Sequence, residues 1–403
     1  MNERPRSRLQ GLDGIRGLAA LFVVLHHCWL LSFPGYPANT GPWWLGWLQY
    51  GHFSVAVFIT LSGFSLAVSP ARNGWRLGGG ARFAHRRAWR ILPPYWAALV
   101  FSLLVAWFVV AQPGTAAPTA KSVLVHTLLL QDVFGSPSPN GAFWSIAIEA
   151  QLYLVFPLLL LLLRRLNAAA MVGAVLVVVA TVGILAPRVS IVDDLMRFTP
   201  QFAVLFALGI AGASIVSAPE RIRRLPWHWF AGLAAVPPVV LIVLLGPVWT
   251  VGHFFWVDLA FGPAAVLLLA AVATHRPVPL VRLLDTRPVR SLGSFSYSLY
   301  LVHAPIVVAI ASLVVAPHLG TGLRALLVTL ALAVPAAVLA ARGFAAIFEL
   351  PFTRYRSWPL LRAAIRARLT RGPASVPAAD APPAQVPAQP AEAGEPAVRV
   401  SEA

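Results

Sequence analysis

Ten runs of about 20 apolar residues dominate this chain, and that is the length an α-helix needs to cross the hydrocarbon core of a bilayer. They fall near 17–34, 51–69, 93–112, 143–163, 168–187, 198–217, 227–245, 254–273, 294–314 and 322–343. The expected fold is all-α, a polytopic membrane protein with about ten transmembrane helices. Composition points the same way: 58% of the 403 residues are hydrophobic and 11% are charged. Soluble domains carry roughly 25% charged residues.

The formal net charge of +17 invites a nucleic-acid reading, but its distribution reads as membrane topology. With the N-terminus inside and sides alternating, the inner segments hold Arg4, Arg6, Arg8 and Arg16, then Arg72, Arg76, Arg82, Arg86, Arg87 and Arg90. Arg164 and Arg165 follow, then Arg221, Arg223 and Arg224, then Arg276, Arg282, Arg287 and Arg290, and last the cluster from Arg354 to Arg371. The outer segments hold Lys121, Arg188 and Arg197. This positive-inside asymmetry puts both termini in the cytoplasm of a multi-pass cell-membrane protein whose surroundings are lipid, with no nucleic-acid partner. Cys28 is the sole cysteine, so no intrachain disulfide forms, and its place in the first span makes it a packing residue. Basic residues before an apolar run resemble a signal peptide. No small-residue cleavage site follows, and Asp13 and Arg16 stand at the entrance, so the first span is expected to remain uncleaved.

Residues 1–9 read as a cytoplasmic segment, 10–355 as the membrane domain and 356–372 as a basic membrane-proximal segment suited to an amphipathic surface helix. From 373 to 403 the Ala/Pro-rich composition cannot bury enough apolar surface to fold, and disorder is expected. Two connections are long. Residues 34–50, with Trp43, Trp44, Trp47 and Tyr50, read as interfacial aromatics. Residues 113–142 hold a short apolar piece, Val123 to Leu130, which cannot span and is expected to pack as a lid or re-entrant element.

Polar residues inside the spans are the functional candidates, because an ionisable group in hydrocarbon needs a partner or a task. Arg16 and His27 are eleven residues apart on the first helix, about three turns, so they share a face with an axial separation of about 16 Å. His26 points about 100° away and reads as structural. A snorkelling Arg16 and a histidine bonded to a neighbouring carbonyl is the plainer alternative. Arg86, Arg87 and Arg90 lie three and four apart, a spacing that gathers guanidinium forks for phosphate, though topology alone explains a basic loop. Glu149 lies about one and a half turns into the fourth span with Ser145 one turn away on the same face. A Glu149–arginine pair is the structural alternative. In the ninth span Tyr297, Tyr300 and the surrounding serines lead to His303, as chemistry or as interhelical glue. Asp258 with His253 forms a weaker pair in the eighth span.

At these residues the chain resembles the acyltransferase-3 family of integral membrane acyltransferases. The matching pieces are Leu12-Asp13-Gly14-Ile15-Arg16-Gly17-Leu18-Ala19-Ala20, with His27 following Arg16 at the Arg-X10-His spacing, and Val57-Phe58-Ile59-Thr60-Leu61-Ser62-Gly63-Phe64. Next come Arg86-Arg87-Ala88-Trp89-Arg90-Ile91-Leu92-Pro93-Pro94-Tyr95 and Trp144-Ser145-Ile146-Ala147-Ile148-Glu149. Ser296-Tyr297-Ser298-Leu299-Tyr300-Leu301-Val302-His303 and Phe348-Glu349-Leu350-Pro351-Phe352 complete the series in family order. The chain departs from the family at Ala150 and Leu152, where a second glutamate and a phenylalanine are common. The polar tail leads to the expectation of a stand-alone form without a C-terminal esterase-like domain.

The resemblance implies an acyltransferase moving an acyl group, commonly acetyl, from cytoplasmic acyl-CoA to a hydroxyl of a carbohydrate or small-molecule acceptor. Acyl-CoA is then a donor substrate, with no permanently bound cofactor and no metal. His27 would take the hydroxyl proton, with Arg16 and Glu149 completing the catalytic set, and Arg86, Arg87 and Arg90 would hold the CoA phosphates. Asp13, Ser62, Tyr95, Ser145, Tyr300, His303 and Glu349 are the supporting residues of the same motifs. The rival class is a proton-coupled exporter of a glycan or lipid intermediate, against which stand the phosphate-like arginine cluster and the lack of detectable repeats.

Overall fold

The computed structural model describes residues 9, 11–38, 41–355 and 357–370. The expected N-terminal segment before Leu9 and the tail from 373 lie outside the described residues. Among the described residues every regular element is helical. The helices that matter here are α1 (Leu12–Ser32), α2 (His52–Ala71), α3 (Gly80–Phe108), α4 (Ala120–Thr127), α5 (Gln131–Phe134), α6 (Trp144–Arg165) and α7 (Ala168–Leu185). They continue with α8 (Gln201–Gly212), α9 (Trp227–Gly252), α10 (Phe254–Ala273), α11 (Arg287–Ser294), α12 (Ser296–Ala309), α13 (Leu323–Phe344) and α14 (Trp358–Thr370). Compactness separates α14 from the unit ending at Ser357. In α14, Arg362 lies over the Trp358 ring at 5.2 Å, a cation–π contact that leaves its charge beside an apolar surface.

Among the described residues nine helices are long and apolar enough to cross a membrane, and a tenth crossing is available if the bent pair Ser190–Phe198 and Gln201–Ser217 is one span. The bend of 48° falls at Thr199, whose φ is +43°, followed by Pro200. A residue before proline is disfavoured from helical backbone, so the break falls at the first residues of the apolar run at 198–217, whose helix starts at Gln201 and tightens to a 3₁₀ turn from Ala213. A second difference concerns α3. The arginines expected in a loop before a span at 93 lie in the first turns of one helix running from Gly80 to Phe108. Pro93 and Pro94 sit inside it, deleting N–H donors to the carbonyls of Trp89 and Arg90, two residues that retain solvent exposure.

α1 is the central helix, buried on most sides and packed against α2, α11, α12 and α13. Its approach to α11 requires glycine. A Cβ at Gly17 or Gly293 would collide with the facing backbone, as would one at Gly63 or Gly209, where α2 meets α8. Small residues let membrane helices reach this distance, where dispersion and weak polar contacts act without a hydrophobic drive. Two packing clusters result. One joins the start of α1 to α2, α6, α8 and α10 through Ile59, Phe64, Phe156, Phe202 and Phe206. The other joins the rest of α1 to α3, α12 and α13 through Val24, Trp29, Tyr95, Leu301 and Leu326. α7 and α9 stand at the periphery with Val177, Val178, Leu233, Val243 and Leu244 exposed, the surface a helix offers to lipid.

The 113–142 segment forms α4 and α5. Trp43–Tyr50 is a short 3₁₀ helix that leaves Trp43, Trp44 and Trp47 exposed. Asn140, fully buried, ties the first of these segments down. Its Nδ2 donates to the Leu301 carbonyl at 2.8 Å and to Ser102 Oγ at 3.1 Å. Leu301 is the residue whose helical partner would be the N–H of position 305, which is Pro305, so the side-chain amide replaces the bond that proline removes.

Candidate active site

A cavity of about 830 Å³, mouth included, lies between the two packing clusters and is lined from α1, α2, α3, α6 and α12. Arg16, Arg87 and Arg90 supply its cationic part. α1 begins at Gly11 with φ +84°, a left-handed start that favours glycine, and Asp13 in the first turn accepts from Arg16 Nη1 at 3.0 Å. Arg87 stacks its guanidinium over Phe83 at 5.9 Å, and its buried Nε has no hydrogen-bond partner among the described residues. A buried donor without an acceptor costs about 1–3 kcal/mol, so Arg87 keeps hydrogen-bonding capacity that the fold does not use. Arg86 is exposed and does not line the cavity, so the spacing argument that grouped it with Arg90 holds only for Arg87 and Arg90.

Farther in, Glu149 Oε1 accepts from Ser62 Oγ at 2.7 Å and from Tyr153 Oη at 2.5 Å, and the two hydroxyls lie 3.0 Å apart. Both donors converge on one carboxylate oxygen, leaving Oε2 without a protein partner among the described residues. Neither the Glu149–arginine pair nor a Glu149–His27 contact forms. The carboxylate is held by neutral hydroxyls, which orient it without spending its charge on a fixed cation. Tyr153 was missed in the sequence; its signal is a tyrosine one turn after Glu149 on the same helical face.

Ser145 Oγ and Tyr300 Oη, 2.6 Å apart, line the cavity from α6 and α12. One turn beyond Tyr300 on α12 comes His303, whose Nε2 lies 3.2 Å from His27 Nδ1. The Tyr300 and His303 rings are 5.8 Å apart and the His303 and His27 rings 4.9 Å. His27 does not line the cavity itself. It keeps an exposed edge, while His303 is fully buried. The face shared by Arg16 and His27 is therefore divided, with Arg16 in the cavity and His27 on the far side of the Tyr300 turn. His26 Nδ1 bonds the Leu48 carbonyl at 2.9 Å, and a Cβ at Gly51 would strike its ring, a packed structural position.

The remaining supporting candidates have other tasks. Tyr95, buried against Phe143, donates to the His126 carbonyl at 2.8 Å and anchors α4. Glu349 accepts from Ser298 N at 3.1 Å and Ser298 Oγ at 2.6 Å, satisfying the start of α12 as a helix cap does. Neither lines the cavity. Asp258 pairs with His52 rather than His253: its Oδ2 lies 2.8 Å from His52 Nε2 and 3.2 Å from Gln201 Nε2. Five residues separate His253 from Asp258, which turns them about 140° apart, and His253 bonds back to Trp249 O at 2.8 Å. In α4 and α5, burial pushes the His126 imidazole below its ordinary value and raises the Asp132 carboxyl to about 6.

Residues 9–342 match the family model described as an acyltransferase domain. The chain belongs to the acyltransferase-3 family. It is 28% identical over 330 residues to YrhL of Bacillus subtilis (strain 168), named as a candidate peptidoglycan O-acetyltransferase, covering 74% of this chain and 49% of that protein. It is 27% identical over 252 residues to nodulation protein 10 of Rhizobium leguminosarum bv. viciae, covering 56% of this chain and 62% of that one. It is 26% identical over 330 residues to O-acetyltransferase OatA of Staphylococcus aureus (strain NCTC 8325 / PS 47), covering 75% and 51%. The chain thus spans between about half and three fifths of the length of these relatives. No solved structure matches it. Within this acyltransferase-3 chain, a cavity lined by arginines, a hydroxyl pair and a histidine pair follow one another in space.

Proposed function

We propose that the protein transfers an acyl group, most simply acetyl, from acyl-CoA to a hydroxyl of a cell-envelope carbohydrate. The observation that carries this reading is the order of groups across the site. Arg16, Arg87 and Arg90 share a cavity with the Ser145–Tyr300 pair, and His303 and His27 stand just beyond that pair. The reading assigns phosphate to the arginines and the proton to His27, with the hydroxyl pair lining the arginines' cavity and Tyr300 next to His303. The names of YrhL and OatA, both O-acetyltransferases, support acetyl as the group, and that of YrhL, a candidate peptidoglycan O-acetyltransferase, supports an envelope glycan as the acceptor class.

In this reading the CoA phosphates rest on Arg87 and Arg90, and Arg16 lines the path of the pantetheine arm. The thioester carbonyl meets the Ser145 and Tyr300 hydroxyls, which donate to the oxygen as it gains charge. The acceptor hydroxyl attacks the carbonyl carbon while His27 takes its proton. Collapse breaks the C–S bond, and the departing sulfur takes that proton from His27, so an ester and a free thiol result. Glu149, held by Ser62 and Tyr153, keeps Oε2 for a donor group of either substrate. The apolar walls supplied by Phe58, Ile59 and Ile146 keep water from competing for the thioester.

The test is purified protein in lipid nanodiscs with radiolabelled acetyl-CoA and soluble peptidoglycan fragments. Label should move to the glycan, with one free CoA thiol released per ester formed. A protein that neither binds CoA specifically nor consumes the thioester, yet moves a glycan or lipid intermediate across vesicles, would be a carrier, and the acyltransferase reading would fail.

A further inference from the structure

The two histidines beyond the cavity determine each other's hydrogen positions. His303 Nδ1 lies 2.8 Å from the Tyr300 carbonyl oxygen and 3.1 Å from that of Leu299. A carbonyl only accepts, so Nδ1 carries the hydrogen and, in the neutral ring, Nε2 carries the lone pair. That lone pair faces His27 Nδ1 at 3.2 Å. The same His27 nitrogen lies 2.9 Å from the Val23 carbonyl. Two acceptors converge on His27 Nδ1, so it too carries a hydrogen, shared between them. The lone pair of His27 is left on Nε2, a nitrogen that no protein group engages among the described residues.

We propose that His303 is a positioning residue for His27, a neutral acceptor that holds His27 in the tautomer with a free Nε2 and receives the Nδ1–H bond as the ring becomes imidazolium. This rests on the reading of His27 as the base in acyl transfer. In the serine hydrolase arrangement a buried carboxylate does this work. Within a bilayer a carboxylate in that place would add a charge to be desolvated. An imidazole whose own proton is committed to main-chain carbonyls offers an acceptor of fixed direction and no charge. Glu149, the carboxylate of the cavity, is engaged by Ser62 and Tyr153 and makes no contact with His27. Val23 O alone would leave the His27 ring with one bond and freedom to turn; the second acceptor from α12 closes that freedom. The contact joins residues 276 positions apart, so the arrangement of α1 against α12 sets the state of the base.

The decisive pair of variants is His303→Gln and His303→Met, unbranched side chains of nearly equal shape that differ in having an acceptor near the Nε2 position. His303→Gln should hold kcat within about fivefold of the wild type. His303→Met should lower kcat by roughly 10- to 100-fold, the size of the loss when the partner orienting a metal-bound histidine is removed, with KM for acetyl-CoA unchanged. His303→Asn, polar but one carbon too short to reach His27, should behave like His303→Met, and it decides the matter if His303→Met does not insert. Equal losses for Gln, Met and Asn would show packing alone, and loss confined to KM would place His303 in donor binding; either overturns the proposal. A wild-type protein inactive with every acyl donor and acceptor would sink the acyltransferase reading first, whereas an active wild type with unaffected variants overturns only the role of His303.

Discussion

His27 and His26 are adjacent in sequence and opposite in use. His26 is wedged between Leu48 O and Gly51, while His27 keeps an open edge and, among the described residues, an Nε2 that no protein group engages. His27→Ala should lower turnover by about 100- to 10,000-fold, the range for removing a general base, and leave thermal stability in detergent near that of the wild type. His26→Ala should do the converse, lowering the melting temperature through the lost Leu48 contact with a small effect on turnover. The arginines divide in a similar way. Arg87→Gln with Arg90→Gln should raise KM for acetyl-CoA more than it lowers kcat, because phosphate holding is remote from the reacting carbonyl. The defect should deepen as salt screens what remains, and Arg86→Gln should be nearly silent in the same assay. Spacing along a helix singled out Arg16, Arg87 and Arg90, which line one cavity, but it put His27 on the face of Arg16, and His27 lies outside that cavity. It could not supply the His27–His303 contact or the Asp258–His52 pair, since partners from separate helices are fixed only by packing.

The helices themselves were legible because hydrophobic length is a local property; their breaks were less so. Thr199–Pro200 ends one short helix just where the 198–217 run begins, and Pro93–Pro94 does not interrupt α3, because a proline's effect depends on whether the freed carbonyl finds another partner. Asn140 is such a partner for Leu301 O. Asn140→Leu should destabilise the protein by about 1–3 kcal/mol, the cost of an unsatisfied buried carbonyl, read as a lower melting temperature and faster proteolysis within 113–139. Asp132 in α5 makes a pH test of the same segment. Burial raises its carboxyl from 3.8 to about 6, and its Oδ2 has no hydrogen-bond partner among the described residues. The folded state therefore holds a proton that the unfolded chain releases at lower pH, so stability falls as pH rises from about 4 to 6. Asp132→Asn should raise the melting temperature at pH 7 and lose that advantage below pH 4. An advantage that persists at pH 4 would mean that the carboxyl is not destabilised by burial.

Orientation in the membrane is what gives the order of groups its meaning for the whole molecule. If Arg87 and Arg90 face the cytoplasm, CoA reaches them where it is made, and His27 faces the side where an envelope glycan waits. Axial rise alone puts His27 about 16 Å along α1 from Arg16, so donor and acceptor can approach from opposite sides and meet at Ser145 and Tyr300. The asymmetry of arginine between alternate connections predicts this orientation, with both termini inside. It is checked by single cysteines on a Cys28→Ser background, since Cys28 is buried and is the native thiol to be removed. Asn73→Cys and Gly78→Cys, in the exposed connection between α2 and α3, should resist an impermeant maleimide in intact cells and react once the membrane is opened. Gly114→Cys and Lys121→Cys, at the exposed start of the segment holding α4 and α5, should react without opening it. The reverse pattern would place the arginines outside, away from any supply of CoA. The cavity would then have to bind an envelope phosphate instead, and with it the donor assignment, though not the fold or the histidine pair, would fall.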